Sequence, residues 1–368
     1  MTLTTALFFF LGRKTNLQER LIIKESFNIL NYANLTRFAF DVVKLTFIIE
    51  GIGTVLLFCY FYIKMPNLPV INIMGHAVFH AVSAFCNAGF STFPSNLTQF
   101  VNIPFIQFVI SSLFILGGLG FVTISDIYNT YVKKVSRHLT LHTKTVLVTT
   151  VLLIIFGTAL ICVLEWNNAL KLLPGQLKVI NAYFQAVTPR TAGFNTINLS
   201  SFTTATLLIV IFLMFIGASS GGTGGGVKTT TFSVVIAQFK ALLTGKPDVL
   251  MFKRRVPEEQ IFRAFLIIGL ALTWLLTALV FMFIFNRSDI NMETIVFELV
   301  SAFSTVGLSL GSRVNPTLSA SYDFTALGKF IIIITMFLGR VGILTIITSL
   351  IKKRFINYTH PEGVILVG

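Results

Sequence analysis

Apolar residues run through the chain in long blocks, and the stretches between them carry most of the charge. A helix crossing the hydrocarbon core of a bilayer needs about 20 mostly apolar residues. Six stretches reach that length: 38–63, 104–130, 145–164, 205–236, 262–285 and 326–351, the fourth interrupted by glycines. The opening block Met1–Leu11 is too short to span and lacks the basic leader and small-residue cleavage site of a signal peptide. It reads as the end of a helix whose beginning is absent.

Each long segment on one side of these spans contains a shorter apolar run of about ten residues that ends in a glycine motif. The motifs are Ala-Phe-Cys-Asn-Ala-Gly-Phe-Ser at 84–91, Thr-Pro-Arg-Thr-Ala-Gly-Phe-Asn at 188–195 and Ala-Phe-Ser-Thr-Val-Gly-Leu-Ser at 302–309. Their glycines, Gly89, Gly193 and Gly307, are 104 and 114 residues apart, and each has an aromatic residue ten positions earlier: Phe79, Tyr183 and Phe297. Leu-Gly-Gly-Leu-Gly-Phe-Val-Thr-Ile (116–124) is echoed by Leu-Gly-Arg-Val-Gly-Ile-Leu-Thr-Ile (338–346). Internal self-similarity of this kind defines the architecture before any fold is named. The unit is span, half-helix, glycine loop, span, with half-helices expected over 75–86, 178–189 and 292–303. Aligning Met1-Thr-Leu with Val122-Thr-Ile and Leu344-Thr-Ile puts Met1 midway down an equivalent span. The expected division is then the end of a truncated first unit and a cytosolic linker over 1–36, a second unit over 37–143, a third with the glycine-rich break over 144–259, a fourth over 260–351 and a cytosolic tail over 352–368.

Composition narrows the class. Charged residues make up 11% of the chain and AVILMFWYC 54%, with mean hydropathy +0.83, whereas soluble domains carry about 25% charge. An ordinary soluble enzyme and a disordered tail are both excluded. The net charge of +14 is explained by the positive-inside rule rather than by nucleic-acid binding. Segments 12–37, 131–144, 238–263 and 352–368 hold eighteen Lys and Arg, and the alternate segments 64–103, 165–204 and 286–325 hold six. The first set, with the C-terminus, is therefore assigned to the cytoplasm. Cys59, Cys86 and Cys162 are far apart and form no CxxC, which argues against a disulfide framework or zinc site.

Non-helical backbone at membrane depth persists only where it is buried in protein or faces a water-filled path. Several glycine loops entering around one axis would aim carbonyl oxygens at a dehydrated cation, and the C-terminal ends of the half-helices add partial negative charge there. Glycine suits such a turn because positive φ costs it little. The candidate ion-filter residues, whose carbonyls would hold the cation, are Asn87, Ala88, Gly89 and Phe90; Thr191, Ala192, Gly193 and Phe194; and Thr305, Val306, Gly307 and Leu308. Ser91, Asn195 and Ser309 are small polar neighbours suited to a wet lining or to bracing.

In the broken span, six of the ten residues from 217 to 226 are glycine, each costing a helix about 1 kcal/mol relative to alanine. Gly217, Ser219, Ser220, Gly221, Gly222, Thr223, Gly224, Gly225, Gly226 and Lys228 are thus expected to form an unwound polar loop beneath the filter, able to obstruct the path and move aside. A closely packed, kinked helix is the plainer alternative. The phosphate-loop pattern fails because Val227 separates Gly226 from Lys228, and G-x-G-x-x-G fails at position 227. Arg340 lies inside the last span, where charge is costly and functional by default. It is expected to bond carbonyls freed by the unwound loop, the alternatives being snorkelling or pairing with Glu50 or Asp126. His138 and His142 share a helical face but sit among Lys and Arg, so a solvated inner loop is expected there. His76 and His80 read as packing residues. Glu298 either adds negative potential near the filter or bonds neighbouring backbone. No catalytic constellation stands out, so the chain is not read as an enzyme.

At these residues the chain resembles the ion-conducting membrane subunit of the Trk/Ktr/HKT superfamily of potassium transporters, most closely the bacterial Ktr type. The repeated Gly89, Gly193 and Gly307 loops, the Gly217–Thr231 stretch and Gly339-Arg340 carry the resemblance, and Asn-Tyr-Thr-His-Pro-Glu at 357–362 is similar to the Ktr tail. The resemblance implies an all-α polytopic membrane protein of repeated membrane–pore-loop–membrane units around a pseudo-fourfold ion path. It further implies potassium uptake across the cell membrane, sodium dependence in the Ktr branch, a gating intramembrane loop contacted by the last-span arginine, no cofactor in the chain itself, and a homodimer resting on cytosolic nucleotide-binding regulatory subunits. Against that pattern the outer span, half-helix and glycine loop of a first unit are missing. A proton-coupled secondary carrier and a non-conducting truncated subunit are the rival readings.

Overall fold

The computed structural model describes residues 35–134, 136–286, 290–314 and 318–350. Met1–Leu11, most of the expected linker, the 357–362 motif and the tail over 352–368 lie outside the described residues. Among the described residues three helices are long and apolar enough to cross a bilayer: α1 (Leu35–Lys64), α5 (Leu141–Glu165) and α9 (Glu258–Phe285). At 1.5 Å per residue their 30, 25 and 28 residues extend about 45, 38 and 42 Å. Each is followed by a helix too short to span: α2 (Val70–Phe85), α6 (Gly175–Val187) and α10 (Met292–Phe303), with 16, 13 and 12 residues. The short helices start directly after Pro69, Pro174 and Asn291 and pack on the preceding long helix.

The second spans are α3 (Pro104–Leu119), α7 (Thr204–Phe215) and α11 (Ala326–Val341). Threonine hydroxyls cap two of them: Thr203 accepts from the Thr206 N–H and Thr325 from the Gly328 N–H, satisfying donors that a helix N-terminus leaves free. α3 also packs on α6, and α7 on α10, so successive units lie side by side. The core follows this arrangement. Phe61, Ile73, Phe114, Phe184 and Phe194 are buried together, and Phe297, Val306 and Leu308 join Leu207 and Met214 in a second cluster. The outward faces of α1, α5 and α9 stay exposed and apolar at Phe47, Ile155 and Leu276, as lipid contact requires.

The expectation that 104–130 and 326–351 are continuous spans is corrected. The first breaks at Gly120 (φ 90°), where α3 and the helix Phe121–Val132 meet at 99°; the latter comprises α4 (Phe121–Ile127) and a π-turn over Tyr128–Val132. The last breaks at Gly342 (φ 93°), between α11 and α12 (Ile343–Leu350). At Gly120 the helix ladder is given up for a tertiary bond, Phe121 N–H to the Gly221 carbonyl at 3.1 Å. The third unit is helical to Phe215 and again from Thr229 to Leu243 (α8), with a non-helical stretch between. A small hairpin, β1 (Leu250–Met251) with β2 (Arg254–Arg255), connects α8 to α9.

Candidate ion path and intramembrane loop

The three glycine loops leave the C-terminal ends of α2, α6 and α10 with the same backbone signature. Asn87, Thr191 and Thr305 have φ of 52°, 73° and 53°, and two residues on, Gly89, Gly193 and Gly307 have φ of 72°, 80° and 83°. The loops touch in chain order. A β-carbon on Gly89 would stand 2.6 Å from the Ala192 carbonyl oxygen, and one on Gly193 would overlap the Val306 carbonyl oxygen. Glycine is required twice over, by conformation and by the close approach of the next loop. Asn87 joins the first two loops: its Oδ1 accepts from the Thr191 hydroxyl at 3.0 Å while Nδ2 donates to the Ala84 and Phe114 carbonyls.

Each loop is also tied back to its own half-helix. Ser83, Thr188 and Ser301 donate their hydroxyls to the carbonyls of Phe90, Phe194 and Leu308 at 2.7, 2.5 and 2.7 Å. The Ser83, Thr188 and Ser301 carbonyls accept from the Ala88, Ala192 and Val306 N–H groups at 2.8, 3.0 and 2.9 Å. Hence the carbonyls of Phe90, Phe194 and Leu308, grouped at first with the coordinating set, each have a lone pair engaged by a half-helix hydroxyl. The sequence reading missed these hydroxyls, although Ser83 and Ser301 stand six residues before their glycines.

The 216–228 stretch lies against the same loops. Gly225 N–H donates to the Thr305 hydroxyl (3.1 Å), the Thr223 hydroxyl to the Phe85 carbonyl (3.4 Å), and a β-carbon on Gly224 would overlap the Thr191 hydroxyl. The neighbouring spans hold its backbone: Ser219 and Thr223 N–H donate to the carbonyls of Gly118 and Gly117, and Gly226 N–H to that of Gly339. Gly217 N–H bonds the Val227 carbonyl and Val227 N–H that of Phe215, closing the stretch on itself. Ser220 is buried, and Gly221 and Gly222 make the turn facing Gly120. Two cations bond carbonyls of this loop: Lys228 Nζ donates to Gly224 at 2.6 Å and the Arg340 guanidinium donates to Thr223. Of the alternative partners for Arg340, Asp126 is taken by the Thr140 N–H and hydroxyl, both at 2.9 Å, and Glu50 lies 3.9 Å from the Cys86 thiol.

Other residues singled out from sequence have structural surroundings. His76 and His80 stack on Phe93, and His80 reaches the Ser91 hydroxyl. Glu298 accepts from the hydroxyls of Ser319 and Ser321. Beyond the Gly307 loop, Asp323 accepts from the Ser312 hydroxyl (2.7 Å) and the Arg313 N–H (2.8 Å). Those hydrogen bonds, with the nearby Arg313 and Lys329 charges, hold its carboxyl below the ordinary value of 3.8. Buried Glu165 was overlooked. Its Oε1 accepts from the Thr203 N–H and hydroxyl, and its Oε2 from Asn168 and the Ala169 N–H, tying α5 to the start of α7. Among the described residues no three His, Cys, Asp or Glu side chains are grouped to hold a metal.

An all-helical membrane fold with short re-entrant helices ending in touching glycine loops defines a class of membrane transporters, and the chain belongs to the TrkH family of cation transport proteins, whose family model matches residues 1–357. Among curated relatives, it is 36% identical to Ktr system potassium uptake protein B of Vibrio alginolyticus, over all of this chain and 78% of that protein. It is 35% identical to the protein of the same name from Bacillus subtilis, over all of this chain and 80% of that one. Identity to the potassium/sodium uptake protein NtpJ of Enterococcus hirae is 35%, over 98% of this chain and 79% of that protein. The crystal structure of the potassium transporter TrkH from Vibrio parahaemolyticus matches with a TM-score of 0.70 and 16% identity, covering 90% of this chain and 68% of that one. The two share a fold.

Proposed function

We propose that the protein takes up potassium across the cell membrane through a filter made of backbone carbonyls from the loops at 87–89, 191–193 and 305–307. The observation that carries this reading is the contact of the three loops in chain order with one shared backbone conformation. Carbonyl rings of this kind replace the hydration shell of an alkali ion. Phe90, Phe194 and Leu308 belong to the braces of the filter, through their bonds to Ser83, Thr188 and Ser301. The names of the Ktr relatives support potassium as the ion, and that of the Enterococcus protein supports a role for sodium.

The 217–226 loop is the gate in this reading. It lies against the filter loops, and its backbone is bonded to both second spans that carry the glycine echo. Arg340 and Lys228 hold it closed through the carbonyls of Thr223 and Gly224. The C-terminus is cytoplasmic by charge asymmetry. The protein works as a homodimer with cytosolic nucleotide-binding regulatory subunits, as membrane subunits of a system rather than a self-contained channel. The five-part division of the chain at 37, 144, 260 and 352 belongs to the same reading.

The test is potassium-limited growth and Rb⁺ uptake in cells lacking their own potassium uptake, with the 368-residue chain and a version extended at its N-terminus. Saturable uptake is expected, with Arg340→Ala raising the basal flux. Absence of uptake from both versions would refute the transport reading, and an Arg340→Ala flux equal to the parent's would refute the gate. Uptake driven by an imposed pH gradient would instead select the proton-coupled carrier.

A further inference from the structure

Arg190 stands three residues before Gly193, in the middle filter loop, just past the C-terminal end of α6. Its residue is only 8% exposed. Among the described residues its side chain makes one hydrogen bond, from an Nη to the Thr150 hydroxyl at 3.3 Å, and its buried Nε has no partner. No carboxylate among the described residues forms an ion pair with it. A cavity of about 10 Å³, room for a single water at most, is lined by Arg190, Thr150, Val187, Gly118 and Ala218 of the 217–226 loop. Arg190 thus borders, with Thr150 of α5, a small cavity that the 217–226 loop also lines.

The matching positions of the other two units, three residues before Gly89 and Gly307, are Cys86 and Ser304. Only the third unit places a permanent positive charge there. An unpaired buried cation costs several kcal/mol, and an ion pair or a neutral residue would remove that cost. The negative end of the α6 dipole offsets part of it. The remaining field acts on whatever cation occupies the adjoining backbone ring. Conduction requires a site attractive enough to fill and weak enough to empty. Three half-helix C-termini leading into touching loops, read as one carbonyl ring, would hold an ion too long without an opposing charge.

We propose that Arg190 is a rate- and affinity-determining residue whose fixed charge weakens cation binding in the filter and speeds release. It acts through space, without touching the ion. This inference rests on reading the glycine loops as the ion filter. An electrostatic role has a signature that a packing role lacks, because its effect on binding scales with the valence of the ion. Unit charges about 12 Å apart at an effective dielectric near 20 change each other's binding by about tenfold for a monovalent ion. For a divalent ion it is the square of that factor.

The experiment measures the KM and Vmax of Rb⁺ uptake, with the inhibition constant of Ba²⁺, in the version of the protein that supports uptake. Arg190→Gln is expected to lower KM about tenfold, to lower Vmax, and to tighten Ba²⁺ inhibition about a hundredfold, while Arg190→Lys stays within about twofold of the parent. Thr150→Asp leaves the arginine in place and pairs its charge, and should shift KM and Ba²⁺ inhibition in the same direction, which keeps the test open should Arg190→Gln fold poorly. Equal factors for Rb⁺ and Ba²⁺, an Arg190→Lys protein that behaves like Arg190→Gln, or an unchanged KM in both Arg190→Gln and Thr150→Asp would overturn the proposal. In those cases Ba²⁺-sensitive uptake by the parent leaves the filter standing, whereas a parent whose uptake ignores Ba²⁺ discards the filter itself.

Discussion

Replacing Gly193 by alanine perturbs two things at once. The residue sits at φ 80°, and the new methyl would overlap the Val306 carbonyl oxygen and stand 3.2 Å from the Gly89 Cα. The left-handed conformation costs a non-glycine residue roughly 1–2 kcal/mol, and forcing backbone aside in a packed site costs about 1–3 kcal/mol more. Together these give a loss of about 2–5 kcal/mol. Gly307 isolates the first effect, because its φ is 83° yet no heavy atom of the described residues lies within 4 Å of the β-carbon position. Gly307→Ala should therefore cost only about 1–2 kcal/mol. At about 1.3 °C per kcal/mol for a chain of this size, thermal unfolding of the purified 368-residue chain in detergent should show a fall of about 3–7 °C for Gly193→Ala and about 1–3 °C for Gly307→Ala. Gly269, inside α9 with open space around it, is the control and should lose nothing on substitution by alanine, the better helix former. A Gly307→Ala protein as destabilised as Gly193→Ala, or a Gly193→Ala protein as stable as the parent, would refute the packing of the Gly193 loop on the Gly307 loop.

Glu165→Gln keeps an acceptor for one pair of donors and turns an NH₂ toward the other, so it should lower the unfolding free energy by about 1.5–3 kcal/mol, read as a lower midpoint in the same melt. Ser301→Ala releases the Leu308 carbonyl and should cost about 1 kcal/mol of stability; its larger expected effect is stronger inhibition of Rb⁺ uptake by Na⁺, measured by competition. Asp323 is held below its ordinary value of 3.8 in the folded protein, so its contribution is complete above that pH and is lost as pH falls through the lower native value. The melting difference between the parent and Asp323→Asn should therefore be largest at neutral pH and shrink below about pH 3.8.

The repeat was legible because each of its parts has a physical signature in one dimension. Short apolar runs too brief to span, closed by glycine, predicted half-helices over 75–86, 178–189 and 292–303, and the chain forms α2, α6 and α10 there. Six glycines in ten residues likewise predicted non-helical backbone between α7 and α8. The breaks at Gly120 and Gly342 were not legible, although the Leu-Gly-x-x-Gly echo marked both places. A lone glycine costs a helix only about 1 kcal/mol, so whether the chain bends there is decided by a partner far away in sequence, such as the Gly221 carbonyl that takes the Phe121 N–H. Positive φ at Thr191 and Thr305 was equally hidden, since a β-branched residue in that region runs against local preference and is held there by the packed loops. Arg190 stood inside a quoted motif, but its isolation from carboxylates exists only in three dimensions. The Leu250–Arg255 hairpin was passed over because its two-residue strands are too short for alternation to register.

Anomalous diffraction from crystals grown with Rb⁺ or Tl⁺ in place of K⁺ tests the carbonyl filter most directly. Peaks are expected on the axis enclosed by residues 87–89, 191–193 and 305–307, in contact with their main-chain oxygens. Peaks confined to other parts of the protein, with none between those loops, would contradict the carbonyl filter.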